Sequence, residues 1–292
     1  MRFSLPQYLT RINALSCLSA PPTLETLTTV MASHMCSISF ENMDVVQNKA
    51  ISITPEAVFD KLVAQGRGGY CFETNTLLQC ALLELGFAVS PVLCRVRWGK
   101  APTQETGFTH LILKATDADG KTFLADVGFS GTNSIAPVSL DVGNTPQHLP
   151  EGTFRVQQEE KAADYSDYSY LEVQDRPSSS SSGDSGTGWK ELYCWHNVPC
   201  LLPDIEMANW FSCTYEKARF TTQFFVSRIV DNERLYILND RFVRRNMAGE
   251  VVAEEEIHNK ERLLHLVSGV FGSALPEDTT LLDKYLRHYS II

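Results

Sequence analysis

Arg67-Gly68-Gly69-Tyr70-Cys71-Phe72-Glu73 stands between two helix patterns. Upstream, a helical stripe runs out at Gly66. Downstream, Leu77, Leu78, Ala81, Leu82 and Leu85 recur at helical spacing until Gly86 closes them. Cys71 therefore falls at or just before the first turn of a helix, after two glycines that allow a tight backbone turn. Unpaired N–H groups and the dipole at such an end favour an anion, so a thiol there ionises more readily than a free one. A nucleophile fits this position. A small buried residue that packs the helix fits it equally well, so other residues must decide.

Composition narrows the field. The 292 residues suffice for more than one hydrophobic core, and 43% hydrophobic with 21% charged residues is ordinary for a globular protein. A formal charge of −10 argues against a general binder of nucleic acid or anionic membrane. No apolar run reaches membrane-spanning length, because Gln79 and Glu84 interrupt the richest one. The first residues, MRFSLPQYLTRINAL, read as an amphipathic helix and not as a signal peptide. Eight scattered cysteines without a Cys-x-x-Cys pair suggest reduced thiols in the cytoplasm and no metal site.

Residues 1–90 read as helical. Ser4, Leu5 and Pro6 look like a helix start, with Tyr8, Leu9, Ile12 and Leu15 on one apolar face. Pro21-Pro22 punctuates, and Leu24, Leu27 and Met31 form a second stripe. Phe40-Glu41-Asn42-Met43 lies in an irregular stretch. Thr54-Pro55-Glu56 opens a third helix through Val58 and Leu62, and the Cys71 helix is the fourth. The period then changes to two. Residues 89–98, 109–115 and 121–129 read as strands, the last two joined by Asp117-Ala118-Asp119-Gly120. Further strands are expected at 153–157, 168–173 and 189–196. The Ser/Gly-rich stretch 177–188 reads as a mobile surface loop, since nothing apolar anchors it. The last third mixes strands at 220–230, 235–238 and 250–254 with helices marked by Leu263, Leu266, Val267, Val270 and Phe271, then by Leu281, Leu282 and Tyr285. The fold class is therefore α+β.

Two residues in the middle strands bear on Cys71. His110 begins one strand, and Asp126 sits within the apolar run Phe123-Leu124-Ala125-Asp126-Val127-Gly128-Phe129. A carboxylate there is costly unless paired or hydrogen-bonded. A four-residue hairpin connection pairs residues whose numbers sum to about 237, which brings His110 near Asp126. Either residue alone can be structural. With Cys71 they make the pattern of an activated thiol, with a base beside the nucleophile and a carboxylate orienting the base.

These segments resemble the three catalytic signatures of the arylamine N-acetyltransferases: Arg-Gly-Gly-Tyr-Cys-Phe-Glu, Thr-Gly-Phe-Thr-His-Leu and Ala-Asp-Val-Gly-Phe. Their order and spacing are similar to the family's, 39 residues from Cys71 to His110 and 16 from His110 to Asp126. Phe40-Glu41-Asn42-Met43 matches the family's early box as well, and the resemblance covers the whole chain. It implies an N-terminal helical bundle (1–88) carrying the cysteine, a central β-barrel (89–210) carrying His110 and Asp126, and a C-terminal α/β lid (211–292), around a core like that of cysteine proteases. It implies Cys71, His110 and Asp126 as catalytic residues, and coenzyme A contacts at Thr106, Gly107, Phe220 and Thr221. Phe108, Thr109 and Phe129 would line the acceptor site, with Arg67 supporting it electrostatically. Ser39 stands where many members have proline, a change expected to matter only locally.

The expected activity is ping-pong transfer of an acetyl group from acetyl-CoA to aromatic amines or hydrazines through a Cys71 thioester. Propionyl- or malonyl-CoA remains open as donor. A thiol hydrolase or transamidase with the same triad is the alternative, and a silent binding protein on this scaffold is a third reading.

Overall fold

The computed structural model describes residues 2–101, 103–158, 167–174 and 188–288. Its N-terminal part is helical, as the periodicity requires. Helix α1 (Leu5–Arg11) carries Pro6 in its first turn, where no hydrogen bond is lost. Helix α2 (Leu24–Ser37) is capped by the Thr23 hydroxyl, which accepts from the Thr26 N–H. Strand β1 (Phe40–Glu41) and helix α3 (Met43–Val46) follow. Helix α4 (Pro55–Phe59) continues as a π-helical turn, Asp60–Ala64, and helix α5 (Cys71–Glu84) ends the layer. Tyr8, Leu9, Leu27 and Val30 pack with Leu77, Leu78 and Leu82 in one core. Leu15 is 52% exposed in a 3₁₀ turn, so the apolar face of the first helix stops short of it.

Eight strands among the described residues form one antiparallel sheet: β2 (Ala88–Val96), β3 (Phe108–Thr116), β4 (Thr122–Ala125), β5 (Val138–Ser139), β6 (Gln147–Leu149), β7 (Gly152–Gln158), β8 (Tyr168–Gln174) and β9 (Trp189–His196). Their order is β5-β4-β3-β2-β9-β8-β7-β6. The two edges meet through one side chain. Gln147 accepts from the Ser139 N–H at 2.8 Å and donates to the Ser139 carbonyl at 2.8 Å, so the sheet is a nearly closed barrel. Strand β3 is buried on both faces, which explains its almost unbroken apolar run. Leu113 and Ala115 face the helices, whereas Ile112 joins Phe154, Tyr193 and Trp195 inside the barrel.

The C-terminal part contains helices α6 (Leu202–Thr214) and α7 (Arg219–Thr222), then β10 (Phe225–Val230), β11 (Glu233–Leu238), β12 (Arg241–Asn246) and β13 (Val251–Glu256). Helix α8 (Lys260–His265) runs on as a π-helical turn, and α9 (Asp283–His288) ends the described chain. No described helix is long and apolar enough to cross a membrane.

Several expectations need correction. Phe40–Glu41 is not irregular: it forms β1, the edge of the sheet β1-β10-β11-β12-β13, and pairs with Ser227 and Val226. Such a short strand exists only through that long-range pairing. Residues 219–222 are helical, so the strand expected from 220 starts at Phe225. Helix α6 and strand β12 were not foreseen. The hairpin between β3 and β4 closes at Thr116↔Thr122, a five-residue connection, because Asp117 Oδ1 accepts from the N–H groups of both Asp119 and Lys121. The register therefore shifts by one residue, and β4 ends at Ala125, leaving Asp126 just past the strand. The stretch 177–188, apart from Gly188, lies outside the described residues.

The stretch from Phe40 to Met43 gains a physical account. Asn42 donates to the carbonyls of Phe220 (2.8 Å) and Gln223 (2.7 Å) and accepts from the Phe225 N–H (2.7 Å), stitching α7 and β10 to the helical layer. Nor is Ser39 a local matter, since its buried hydroxyl donates to the Phe271 carbonyl at 2.6 Å. Asn42→Ala should leave one donor and two acceptors poorly satisfied and cost on the order of 3 kcal/mol. Asn42→Asp, whose carboxylate cannot donate and would face two carbonyl oxygens, should cost at least as much. Thermal melts check this, and a wild-type melting temperature in the Ala variant would refute the stitch.

Candidate active site

The start of α5 is built by close packing. Gly66 has a positive φ (68°) and makes the turn, whereas Gly68 and Gly69 serve a different purpose from the one expected. A Cβ on Gly68 would sit 2.3 Å from the Ser39 carbonyl oxygen, and one on Gly69 would sit 2.8 Å from Glu73 Oε2. Their backbone lies against residues 39–41, with Gly69 N donating to Ser39 O (3.2 Å) and Glu41 N to Gly69 O (3.0 Å). Glu73 reaches back to the Tyr70 N–H at 3.1 Å, satisfying a donor that the helix leaves open. Cys71 is the first residue of the helix and only 1% exposed.

His110 lies beside it. A β-bulge places Thr109 outside the regular register of β2 and β3, since Cys94 pairs with His110 and Arg95 with Phe108. Bulges re-aim the neighbouring side chain. His110 Nε2 meets Asp126 Oδ2 at 2.8 Å, and the Cys71 thiol lies close enough to favour the charged ring. Burial alone pulls the imidazole pKa down. The Asp126 charge and hydrogen bond, with Cys71, more than reverse this and push His110 up to about 10. Asp126 goes the other way: burial raises it, but His110, Asn75 and the Gly128 N–H hold it below the usual carboxylate range.

Asp126 is supplied with partners from several elements. Asn75 Nδ2 donates to Asp126 Oδ1 (2.9 Å) and to the Leu111 carbonyl (2.7 Å), while its oxygen accepts from the Val127 N–H (3.0 Å). The Gly128 N–H donates to Oδ1 at 2.8 Å, and Asn133 donates to the Asp126 carbonyl at 2.8 Å. Gly128 must be glycine for space, because a Cβ there would lie 2.7 Å from the Cys71 Cα. Tyr193, buried in the barrel, packs on the His110 ring with centroids 5.2 Å apart, and burial first, then the nearby Asp126 charge, raises its pKa well above that of a free phenol. Asn75 and Tyr193 were missed from sequence. Asn75 carried a signal, since it sits one helical turn beyond Cys71 on the same face. Tyr193 carried none, because only barrel closure brings it near.

Beneath this end of α5 lies a buried ion network. Arg67 pairs with Glu41 (3.1 Å) and Asp44 (2.9 Å), and Lys61 pairs with Asp44 and Glu73, each at 2.8 Å. Burial lowers the Lys61 pKa, but Glu73, Glu41 and Asp44 overcome it and hold the ammonium charged. Arg67 thus contacts carboxylates and not Cys71.

The remaining sequence-named residues fall into two groups. Phe129 stacks edge-on against His110 with centroids 5.3 Å apart, and the Thr109 carbonyl lies 3.8 Å from Cys71 Sγ. Phe220 packs on Phe40 and Tyr70 at 5.6 and 5.7 Å. Thr106 and Gly107 line an open cleft with Arg95 and Glu105, and the Thr106 hydroxyl is buried there without a partner. Arg95 holds this rim, with its guanidinium 3.9 Å over the Phe108 ring and a hydrogen bond to the Thr106 carbonyl. Thr221 instead donates into its own turn, toward the carbonyls of Tyr215 and Ala218.

The N-acetyltransferase family model matches residues 23–280. An arylamine N-acetyltransferase of Mycolicibacterium smegmatis is 33% identical over 85% of this chain and 84% of its own length. The solved arylamine N-acetyltransferase of Salmonella typhimurium superposes with a TM-score of 0.83 at 27% identity, covering 99% of this chain and 100% of that one. The Mycobacterium marinum arylamine N-acetyltransferase, solved in complex with CoA, gives 0.81 at 26% identity over 93% of both chains. The chain belongs to the arylamine N-acetyltransferase family, and it is an acyl-CoA-dependent enzyme of that class.

The His110–Asp126 pair carries a pH signature. A histidine raised to about 10 when folded contributes stability that is complete below its unfolded value, about 6.5, and is lost as pH climbs through 10. A depressed Asp126 contributes above about 3.9 and loses its contribution as pH falls through its lowered value. The melting-temperature gap between wild type and Asp126→Asn should therefore be widest near pH 5–6 (about the middle of that window) and shrink toward pH 10. A gap that grows with rising pH would contradict the pairing.

Proposed function

We propose that this enzyme moves an acetyl group from acetyl-CoA to the nitrogen of an aromatic amine or hydrazine by a ping-pong route through Cys71. The observation that carries the reading is His110, held at 2.8 Å by Asp126, with the thiol of a helix start next to its strand neighbour Thr109. With Nε2 engaged by Asp126, Nδ1 is the nitrogen left for the thiol, which gives the thiolate–imidazolium pair of an activated cysteine.

The Cys71 thiolate attacks the thioester carbonyl, and backbone N–H groups at the start of α5 receive the oxyanion. The C–S bond to coenzyme A breaks, and its sulfur takes the proton from His110. The acceptor nitrogen, neutral at pH 7 in an arylamine, then attacks the Cys71 acyl-thioester. His110 removes the nitrogen proton, and the Cys71 thiolate departs. Asp126 keeps the ring oriented, with Tyr193 packed against it, and Asn75 and Gly128 keep Asp126 in place. The open cleft at Thr106 and Gly107 suits coenzyme A, helped by Phe220 and Thr221, while Phe108, Thr109 and Phe129 border the acceptor. Residues 1–88 then present the nucleophile, 89–210 the base and carboxylate, and 211–292 a cover. The eight free thiols suit a cytoplasmic enzyme acting on foreign amines.

Mixing the protein with acetyl-CoA and no amine should add one acetyl group to the intact mass. Cys71→Ser should keep the fold and lose both this adduct and turnover. Turnover of a peptide or glutamine substrate without coenzyme A would instead favour a hydrolase or transamidase. An active Cys71→Ser variant would refute the nucleophile. Running propionyl- and malonyl-CoA beside acetyl-CoA fixes the donor.

A further inference from the structure

Helix α6 (Leu202–Thr214) is apolar on two opposite faces. The inner face is buried, where Ile205, Ala208 and Cys213 belong to the cluster that contains Cys71. On the same side, Asn209 accepts from the Tyr70 hydroxyl and donates to the Ile51 carbonyl at 2.9 Å. The outer face is open. Leu201, Leu202, Met207, Trp210, Phe211 and Tyr215 are exposed there, six of the fifteen exposed large hydrophobics among the described residues, so this apolar surface is concentrated in one place. Leu202, Glu206 and Trp210 share one helical row, and Met207 and Phe211 the next. The Phe211 and Tyr215 rings stack at 4.8 Å into a flat wall. The six residues expose on the order of 800 Å², more than the largest patch of an ordinary monomer and close to one partner's share of a standard interface.

Charge on this segment is sorted by end. Asp204 and Glu206 stand near the helix start, and Lys217 and Arg219 follow its end. Asp204 accepts from the Leu201 N–H at 3.0 Å, which caps the helix. Glu206 and Lys217 are exposed, and neither has an ion pair among the described residues. A wholly apolar partner would bury the Glu206 carboxylate unanswered, which is costly. An anionic lipid surface would be repelled by Asp204, Glu206 and Glu216. A second α6 laid antiparallel supplies the missing cation. With a two-fold axis near Phe211, Glu206 of one copy comes opposite Lys217 of the other, and symmetry repeats the pair on the far side. The apolar rows then meet between the two pairs. Chains of net charge −10 repel one another as wholes, and here their ends attract.

We propose that the outer face of α6 is a two-fold interface with a second copy of this chain, centred on Trp210 and Phe211 and registered by reciprocal Glu206–Lys217 pairs. The helix whose inner side walls the Cys71 cluster is thereby braced from outside.

Molar mass by light scattering, measured on the full chain over a dilution series, tests this. Wild type should be a dimer at about 100 µM and dissociate on dilution. Trp210→Glu should be monomeric and, when dilute, melt like wild type, because Trp210 is exposed in the single copy. Glu206→Lys and Lys217→Glu each set like charges opposite and should weaken the dimer about tenfold or more, and the double exchange should restore it. These exchanges involve exposed side chains and serve even if Trp210→Glu misfolds. A wild type that stays monomeric at about 100 µM overturns the proposal, and flotation of that monomer with neutral phosphatidylcholine vesicles would give the face to lipid instead. A dimer untouched by Trp210→Glu overturns it too, as do folded single exchanges that dimerise like wild type or a folded double exchange that stays monomeric.

Discussion

A carboxylate cut off from water must obtain its hydrogen bonds from the protein, and Asp126 draws them from across the fold. Helix α5 contributes Asn75, strand β3 contributes His110, and its own loop contributes Gly128. Leaving such a group unpaired costs several kcal/mol, so these elements are tied to one another by the same ion. The loop after Asp126 extends the tie, because Asn133 holds the Asp126 carbonyl and Arg234 of β11 holds the Asn133 carbonyl. The C-terminal sheet is thereby linked to the residue that sets the charge of His110. A rigid, buried arrangement of His110 and Asp126 is the consequence.

Space is the second constraint. Three glycines near Cys71 are present because neighbouring atoms come too close for a Cβ. Gly68 faces Ser39, Gly69 faces Glu73, and Gly128 faces Cys71 itself. The chain thus brings residues 39–41, 68–71 and 126–128 into one packed junction. Charges beneath the junction are balanced within it, since Arg67, Lys61 and Lys49 are paired with Glu41, Asp44 and Glu73.

Much of this could be read from local pattern. Helical spacing located α2 and α5, and period two located β2, β3, β7, β8 and β9, because amphipathic segments announce the face they bury. Cys71, His110 and Asp126 were legible because each breaks an expectation: a thiol at a helix start, and two polar groups in apolar strands. Less legible was β1, two residues long and stabilised only by β10. Helix α6 was also missed, since Leu201, Met207 and Trp210 remain 63%, 71% and 66% exposed and blur its apolar stripe.

Sequence by itself determined the α+β class, the change from a helical first third to strands in the middle, and the types of residue at the candidate site, because these follow from backbone propensity and the side-chain period. The tertiary structure alone decided the five-residue hairpin and its register, the bulge at Thr109, and the meeting of Asn75 with Asp126 and of Tyr193 with His110. It also decided why Ser39 and Asn42 matter, through bonds to residues some 180 to 230 positions away. The reason is physical. Hydrogen bonds across such separations depend on how layers pack, and no local period encodes which distant carbonyl a buried amide or hydroxyl will find.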